Sequence, residues 1–210
     1  MVLGLEEDGE DQVRDAEGDS KEKRLASNAG LLFFKMKKIP HDPEEILAVV
    51  DQSNNVIGKA TRKEVNEKGL LHREVYIYIK NKDKVLLQKR ADNQLWDHST
   101  GGHFPYDQSY EEGAAREVEE ELGINIQNPE YLGEETLYSV KPDGKKNNRI
   151  ARIFLVRAEI EIGESDIDKE EVAEIQYFGK DDLQRIMNSD EKVMTNSARM
   201  VLRKYILPLL

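Results

Sequence analysis

Residues 101–124 read GGHFPYDQSYEEGAAREVEEELGI, a glycine pair followed by a helix whose acids gather on one face. The helix carries its own boundary signals. Ser109 with Glu112 three residues on forms a capping box, and Gly123 after Leu122 suits a left-handed stop, so the spacing predicts a helix over about 110–122. At about 100° per residue, Ala114, Ala115, Val118 and Leu122 form an apolar stripe, while Glu117, Glu120 and Glu121 fall on another face. Like charges three and four residues apart repel by roughly 0.2–0.5 kcal/mol per pair, and acids in the last turns oppose the helix dipole by a similar amount. No Lys lies on that face. The arrangement therefore points to a bound cation, and an all-oxygen donor set suits Mg²⁺ or Mn²⁺ rather than zinc.

The flanking chain reads as an α/β domain. Ile46–Val50 and 56–60, separated by the polar 51–55, form a hairpin pattern, and Arg62–Lys68 reads as a short helix before Gly69. Two β-rich runs, 75–80 and Lys84–Arg90, precede the glycine pair. Downstream, 131–140 and 150–160 read as long strands around the Pro142-Asp143-Gly144 turn. A strand near 175–178 leads to a helix after Asp181-Asp182, and 192–206 to a C-terminal amphipathic helix.

At 210 residues the chain is long enough for one domain with a real core. The division expected is a disordered acidic extension over 1–43 and the folded domain over 44–210. A net charge of −11 argues against a nucleic-acid-coating or anionic-membrane-binding surface. The apolar run at 30–34 is too short to span a membrane. Without cysteine there is no disulfide, thiolate zinc site or thiol nucleophile. A soluble protein of the reducing cytoplasm is expected.

The segment resembles the Nudix box, Gly-x5-Glu-x7-Arg-Glu-U-x-Glu-Glu-x-Gly-U, where U is bulky and aliphatic. Gly102, Arg116, Glu117, Val118, Glu120, Glu121, Gly123 and Ile124 fill eight of its nine specified positions in register. The resemblance implies a Nudix-type α/β/α sandwich with a mixed β-sheet and hydrolysis of a small-molecule diphosphate, such as a nucleoside diphosphate derivative. It implies Mg²⁺ (or Mn²⁺) held by Glu117, Glu120 and Glu121 with a backbone carbonyl of Gly101 or Gly102. The ion would lower the pKa of the water that attacks phosphorus. Arg116 is expected to orient the glutamates. A glutamate of the box or a downstream carboxylate would serve as the base, with Glu171 chosen over Glu170 and Glu174, and Arg90, with Lys145 and Lys146 as alternatives, is the candidate phosphate ligand. Homodimers are common in such a family.

The departure is Gln108, which stands where the box has its first Glu, beside Asp107. An amide there can hydrogen-bond Arg116 but brings no charge, so Gln108→Glu is expected to raise activity if the position is weakened. Gly113 should cost the helix roughly 0.5–1 kcal/mol. The runs LLHREVYIYI and LWDHSTGGH also resemble the isopentenyl-diphosphate isomerase branch, but Gly101 stands where that branch has its cysteine. His72 and His103 lie where it has metal ligands, and are expected here to be ordinary structural histidines or to support the ligands from behind rather than to bind metal. A Nudix-like module that binds a nucleotide without turnover is the remaining alternative. Trp96 is expected to pack, and Tyr138 and Phe154 to line a pocket or join the core.

Overall fold

Along β3 (Leu71–Asn81), Val75, Ile77 and Ile79 face one side while Tyr76 and Tyr78 face the other, and all five are buried. A strand apolar on both faces belongs at the centre of a covered sheet. The computed structural model describes residues 42–140, 144–159, 162–163, 166–189 and 191–210. The expectations for 1–41, and for the turn at Pro142-Asp143, lie outside these residues.

Among the described residues the sheet has nine strands. β1 (Ile46–Val50) and β2 (Val56–Thr61) form the expected hairpin, followed by α1 (Arg62–Lys68). β3 pairs antiparallel with β1 and with β4 (Lys84–Arg90), and parallel with β8 (Lys146–Arg157) over ten registered pairs from Leu71↔Asn148 to Lys80↔Arg157. That parallel ladder makes the sheet mixed. β7 (Glu130–Val140) covers the far edge of β8, and β9 (Val172–Gly179) pairs with β4. Two short strands, β5 (Trp96–Asp97) and β6 (Thr100–Gly102), pair with β4 and β3.

Helices cover both faces, giving the expected sandwich. On one side Tyr110, Ala114, Val118 and Leu122 of α2 (Tyr110–Leu122) pack against Val75, Ile77, Leu86 and Phe154. On the other, α3 (Lys180–Met187) and α4 (Asn196–Val201) pack Leu183, Met187, Ala198 and Val201 against Tyr76, Tyr78, Leu87 and Ile153. The amphipathic helix expected over 192–206 begins later. Thr195 accepts from the Ala198 amide as the N-cap, while Met194 is drawn into a bridge with Trp96. After Val201 the helix widens into a π-helical stretch, Leu202–Ile206, and ends as a 3-10 turn, Leu207–Leu209.

α2 has the expected bounds. Ser109 and Glu112 make the reciprocal capping box, and Gly123 is left-handed at φ 68°. The glycine inside it has a packing reason. A Cβ at Gly113 would lie 2.6 Å from Phe104 Cγ, so the helix trades propensity for close approach to a buried ring. Phe154 is core, and Trp96 packs edge to face on Phe178 at 4.9 Å. Tyr138 is exposed and hydrogen-bonds Gln52, so neither Tyr138 nor Phe154 lines the cavity described below.

Gly113→Ala sets a propensity gain of about 1 kcal/mol against overpacking of about 1–3 kcal/mol. Because the clash is with a ring wedged in the core, net destabilisation is expected, read as a lower urea midpoint. A variant more stable than wild type would show that Phe104 yields freely.

Candidate functional site

α2 turns its acids toward β6, and two of them are buried: Glu117 is 0% and Glu121 3% exposed. That excludes a solvated surface for these two. A buried carboxylate needs donors or a counter-charge. Glu121 Oε2 accepts from Thr100 Oγ1 at 2.7 Å and from Gln88 Nε2 at 3.0 Å. Glu117 Oε1 accepts from Arg116 Nη2 at 3.2 Å, and Arg116 Nη1 lies 3.5 Å from Glu120 Oε1.

Arg116 thus corrects the energetic argument made from spacing. The repulsion among the glutamates is partly relieved by an arginine on the same helix, one and four residues away, so the pattern alone does not require an external cation. Arg116 Nη2 also donates to the His103 carbonyl (3.0 Å) and to Glu45 Oε1 (3.4 Å). Glu45, just before β1, bridges Arg116 and Arg62, whose Nη1 is 3.4 Å from its other oxygen. Gln108 does not take the role expected of it. Its Oε1 is buried without a hydrogen-bond partner, and the carboxylate on Arg116 from outside the helix comes from Glu45. Glu45 was not visible in the sequence because it lies 71 residues from Arg116 and belongs to no local pattern.

The two glycines of β6 are spaces the site needs. A Cβ at Gly102 would stand 2.8 Å from Glu117 Oε2, and one at Gly101 would stand 2.5 Å from the Val75 carbonyl oxygen. Position 101 therefore has no room for the cysteine of the isomerase branch unless backbone moves. Among the described residues, no three His, Cys, Asp or Glu side chains converge closely enough to form a metal cluster as they stand. The donor chemistry nevertheless fits a hard dication: the Glu117 carboxylate lies against Gly102, whose missing Cβ leaves room beside it, and Glu120 and Glu121 follow on the same helix.

Beside this cleft lies a cavity of about 550 Å³ lined by Gly101, Gly102, Glu117, Arg90 and Glu171 among others. Glu171 also lines a small adjoining hollow with Glu121 and Glu170. Glu174 faces Lys89 across the β4–β9 ladder at 3.7 Å, a surface ion pair away from the cavity. Arg90 is braced by Asp92, Nε to Oδ1 and Nη2 to Oδ2 both at 2.9 Å, and its Nη1 is 3.5 Å from Asp97. Burial works against its charge, but the Asp92 hydrogen bonds and the Asp97 carboxylate raise its pKa overall. Lys145 and Lys146 are exposed, and Asn147 and Arg149 from the same strand region reach the cavity instead.

A buried polar wall, missed in the sequence because its members alternate with core residues, continues the cavity. Arg149 Nε reaches Tyr76 Oη (2.6 Å) and Glu74 Oε2 (2.5 Å), and Tyr76 Oη donates to the same Glu74 oxygen at 2.6 Å. His98 stacks on Tyr76 with centroids 3.8 Å apart. His72 and His103 meet Nε2 to Nε2 at 2.8 Å. His72 Nδ1 must donate to the Leu70 carbonyl, 3.0 Å away, so in the neutral ring Nε2 accepts and His103 Nε2 donates. Burial lowers the pKa of His72. The two rings thus hold each other by a buried hydrogen bond.

The NUDIX domain family matches residues 70–197, more than half of the chain. This chain belongs to the Nudix family. It is 39% identical over 88 residues to isopentenyl-diphosphate Delta-isomerase 2 of Photorhabdus laumondii, covering 39% of this chain and 50% of that one. It is 29% identical over 157 residues to an uncharacterized Nudix hydrolase of Clostridium acetobutylicum, covering 70% and 75% of the two chains. The crystal structure of DR0079 from Deinococcus radiodurans superposes with a TM-score of 0.61 at 19% identity, over 77% of this chain and 99% of that one, a likeness of fold. The chain spans about half the length of the first curated relatives it matches. Among the described residues no helix is long and apolar enough to cross a membrane.

Burial holds His98 down at about 4, with Asp97 and Glu74 opposing the shift and Arg149 and Arg90 adding to it. The folded ring stays neutral where the unfolded ring, at its ordinary 6.5, takes a proton. Between those values the unfolded state binds more protons, so stability falls as pH drops from 7 toward 4. The loss from this group is about 2 kcal/mol at pH 5. Urea unfolding at pH 7 and pH 5 should show a smaller drop for His98→Gln than for wild type; equal drops would contradict the buried neutral ring.

Proposed function

We propose that the protein is a Mg²⁺- or Mn²⁺-dependent pyrophosphohydrolase acting on a small-molecule diphosphate. The observation that carries this reading is the burial of Glu117 and Glu121 against a strand whose glycine leaves a gap at the Glu117 carboxylate. Glu117, Glu120 and Glu121 would hold the ion with a carbonyl of Gly101 or Gly102. Once bound, the ion supplies charge neutralisation of the diphosphate and acidification of water. The chain's own residues do the rest.

Arg116 fixes the orientation of Glu117 and Glu120, and Glu45 fixes Arg116 from across the helix. Glu171, at the junction of the cavity and the hollow that contains Glu121, takes the proton from the attacking water. The water oxygen bonds to one phosphorus, and the bridging oxygen leaves with the other phosphate. Arg90, anchored by Asp92, offers a fixed guanidinium to the phosphate oxygens.

Several relatives bear the name isopentenyl-diphosphate Delta-isomerase. Isomerisation by a protonating thiol is disfavoured here because the chain has no cysteine and position 101 has no space for one.

Glu120→Gln should reduce Mg²⁺-dependent phosphate release from a diphosphate panel by at least about 100-fold, while thermal unfolding stays close to wild type because Glu120 is only partly buried. Full activity in that variant would remove Glu120 from the site. Glu45→Gln should lower turnover by about 10- to 100-fold, and Gln108→Ala far less, in the same assay. The reverse ranking would return the role to position 108.

A further inference from the structure

At position 88 the strand β4 departs from its apolar pattern. Leu86 packs on the α2 side of the sheet and Leu87 on the other, so alternation returns residue 88 to the α2 side. An amide stands there instead, and Gln88 is only 4% exposed. One end of that amide is accounted for, since Nε2 donates to Glu121 Oε2 at 3.0 Å. A carboxylate accepts and does not donate, so this contact fixes which end of the amide faces Glu121. The other end, Oε1, is buried with no hydrogen-bond partner. Such an acceptor costs about 1–3 kcal/mol unless something donates to it.

Gln88 lines the small hollow together with Glu121, Glu170, Glu171, Arg90 and Asp92. Its Oε1 is the one buried atom without a partner on that described lining. Glu171 has a complementary need. Its backbone is pinned, the carbonyl accepting from the Ala91 amide at 2.9 Å and the amide donating to the Asp168 carbonyl at 3.1 Å. Its carboxylate, however, makes no hydrogen bond or ion pair with the described residues. No side chain therefore sets the direction of the group that is to take the proton from the attacking water, and general-base catalysis depends on that direction.

The hollow has a volume of about 10 Å³, the scale of one water molecule. Two hydrogens leave that water able to donate once to Gln88 Oε1 and once to the Glu171 carboxylate. Its oxygen can then accept from the Arg90 guanidinium on the same lining. The same guanidinium disfavours a cation in this place.

Building on the proposed hydrolase activity with Glu171 as the base, we infer that Gln88 is a positioning residue that acts through one buried water. Its oxygen end sets the direction of Glu171 through the water, and its nitrogen end holds Glu121 directly. Gln88 lines the hollow and not the larger cavity, so its effect falls on turnover rather than on substrate binding.

The test is a double-mutant cycle in kcat at saturating Mg²⁺, with Gln88→Met, Glu171→Gln and the two combined, on a diphosphate that the wild type turns over. Gln88→Met should lower kcat by about tenfold and leave KM within about twofold. In the Glu171→Gln background the same substitution should lower kcat by less than about threefold, because the base that the water orients is already gone. Equal losses in the two backgrounds would overturn the inference, since Gln88 would then act through Glu121 alone. A raised KM with unchanged kcat would overturn it as well, and full activity of Glu171→Gln would remove the base and this inference together. A high-resolution crystal structure reads the same point without activity. It should show an ordered water within about 3.0 Å of Gln88 Oε1 and of a Glu171 oxygen in the wild type, lost in Gln88→Met. A dry hollow or a cation there would overturn the inference. Absence of turnover on every diphosphate would count against the hydrolase reading, and the crystal structures would still decide whether a water joins Gln88 to Glu171.

Discussion

Two carboxylates lie against a strand that has no side chains to spare, and the rest of the site follows from that constraint. Moving Glu117 and Glu121 out of water is costly unless each finds donors or a counter-ion. Thr100 and Gln88 serve Glu121, and Arg116 serves Glu117. The approach of α2 to β6 relies on glycine at 102, where a Cβ would press on the Glu117 carboxylate, and the pairing of β6 with β3 on glycine at 101, where a Cβ would press on the Val75 carbonyl. Packing of Ala114, Val118 and Leu122 against the central strands then fixes the helix at that distance. Core packing and acid placement are two faces of one docking event.

Arg116 plays a double part in this arrangement. It pairs with Glu117 and Glu120, and it is itself tied to Glu45 and the His103 carbonyl. The acids share one helix with an internal cation that limits their repulsion, although no three of them converge as they stand. A dication entering the cleft would meet carboxylates whose desolvation has been met during folding, which lowers the reorganisation its binding requires. The cavity is lined by acids and glycines and by histidine, tyrosine, arginine and amide groups.

Much of this was legible in the residues because it was local. The bounds of α2, its caps, the hairpin, the long strands and the identity of the acids are all written within a few residues of where they act. Glu171 lines the cavity, and Glu174 pairs with Lys89 away from it. What stayed hidden is non-local. Glu45 meets Arg116 only after β1 joins the sheet, and Arg149 meets Glu74 only through the parallel β3–β8 register. Gly113 read as a propensity defect because the ring that requires it, Phe104, lies outside the helix. The C-terminal helix began later than periodicity suggested because Met194 was claimed by Trp96.

Uptake of a divalent ion by the acids of α2 is the claim on which the functional account stands, and Mn²⁺ titration followed by electron paramagnetic resonance measures it without need of a substrate. The account predicts saturable loss of the free-ion signal with wild-type protein and marked weakening of that loss in Glu117→Gln. An unchanged free Mn²⁺ signal with the wild type, or identical titrations for the two proteins, would contradict it.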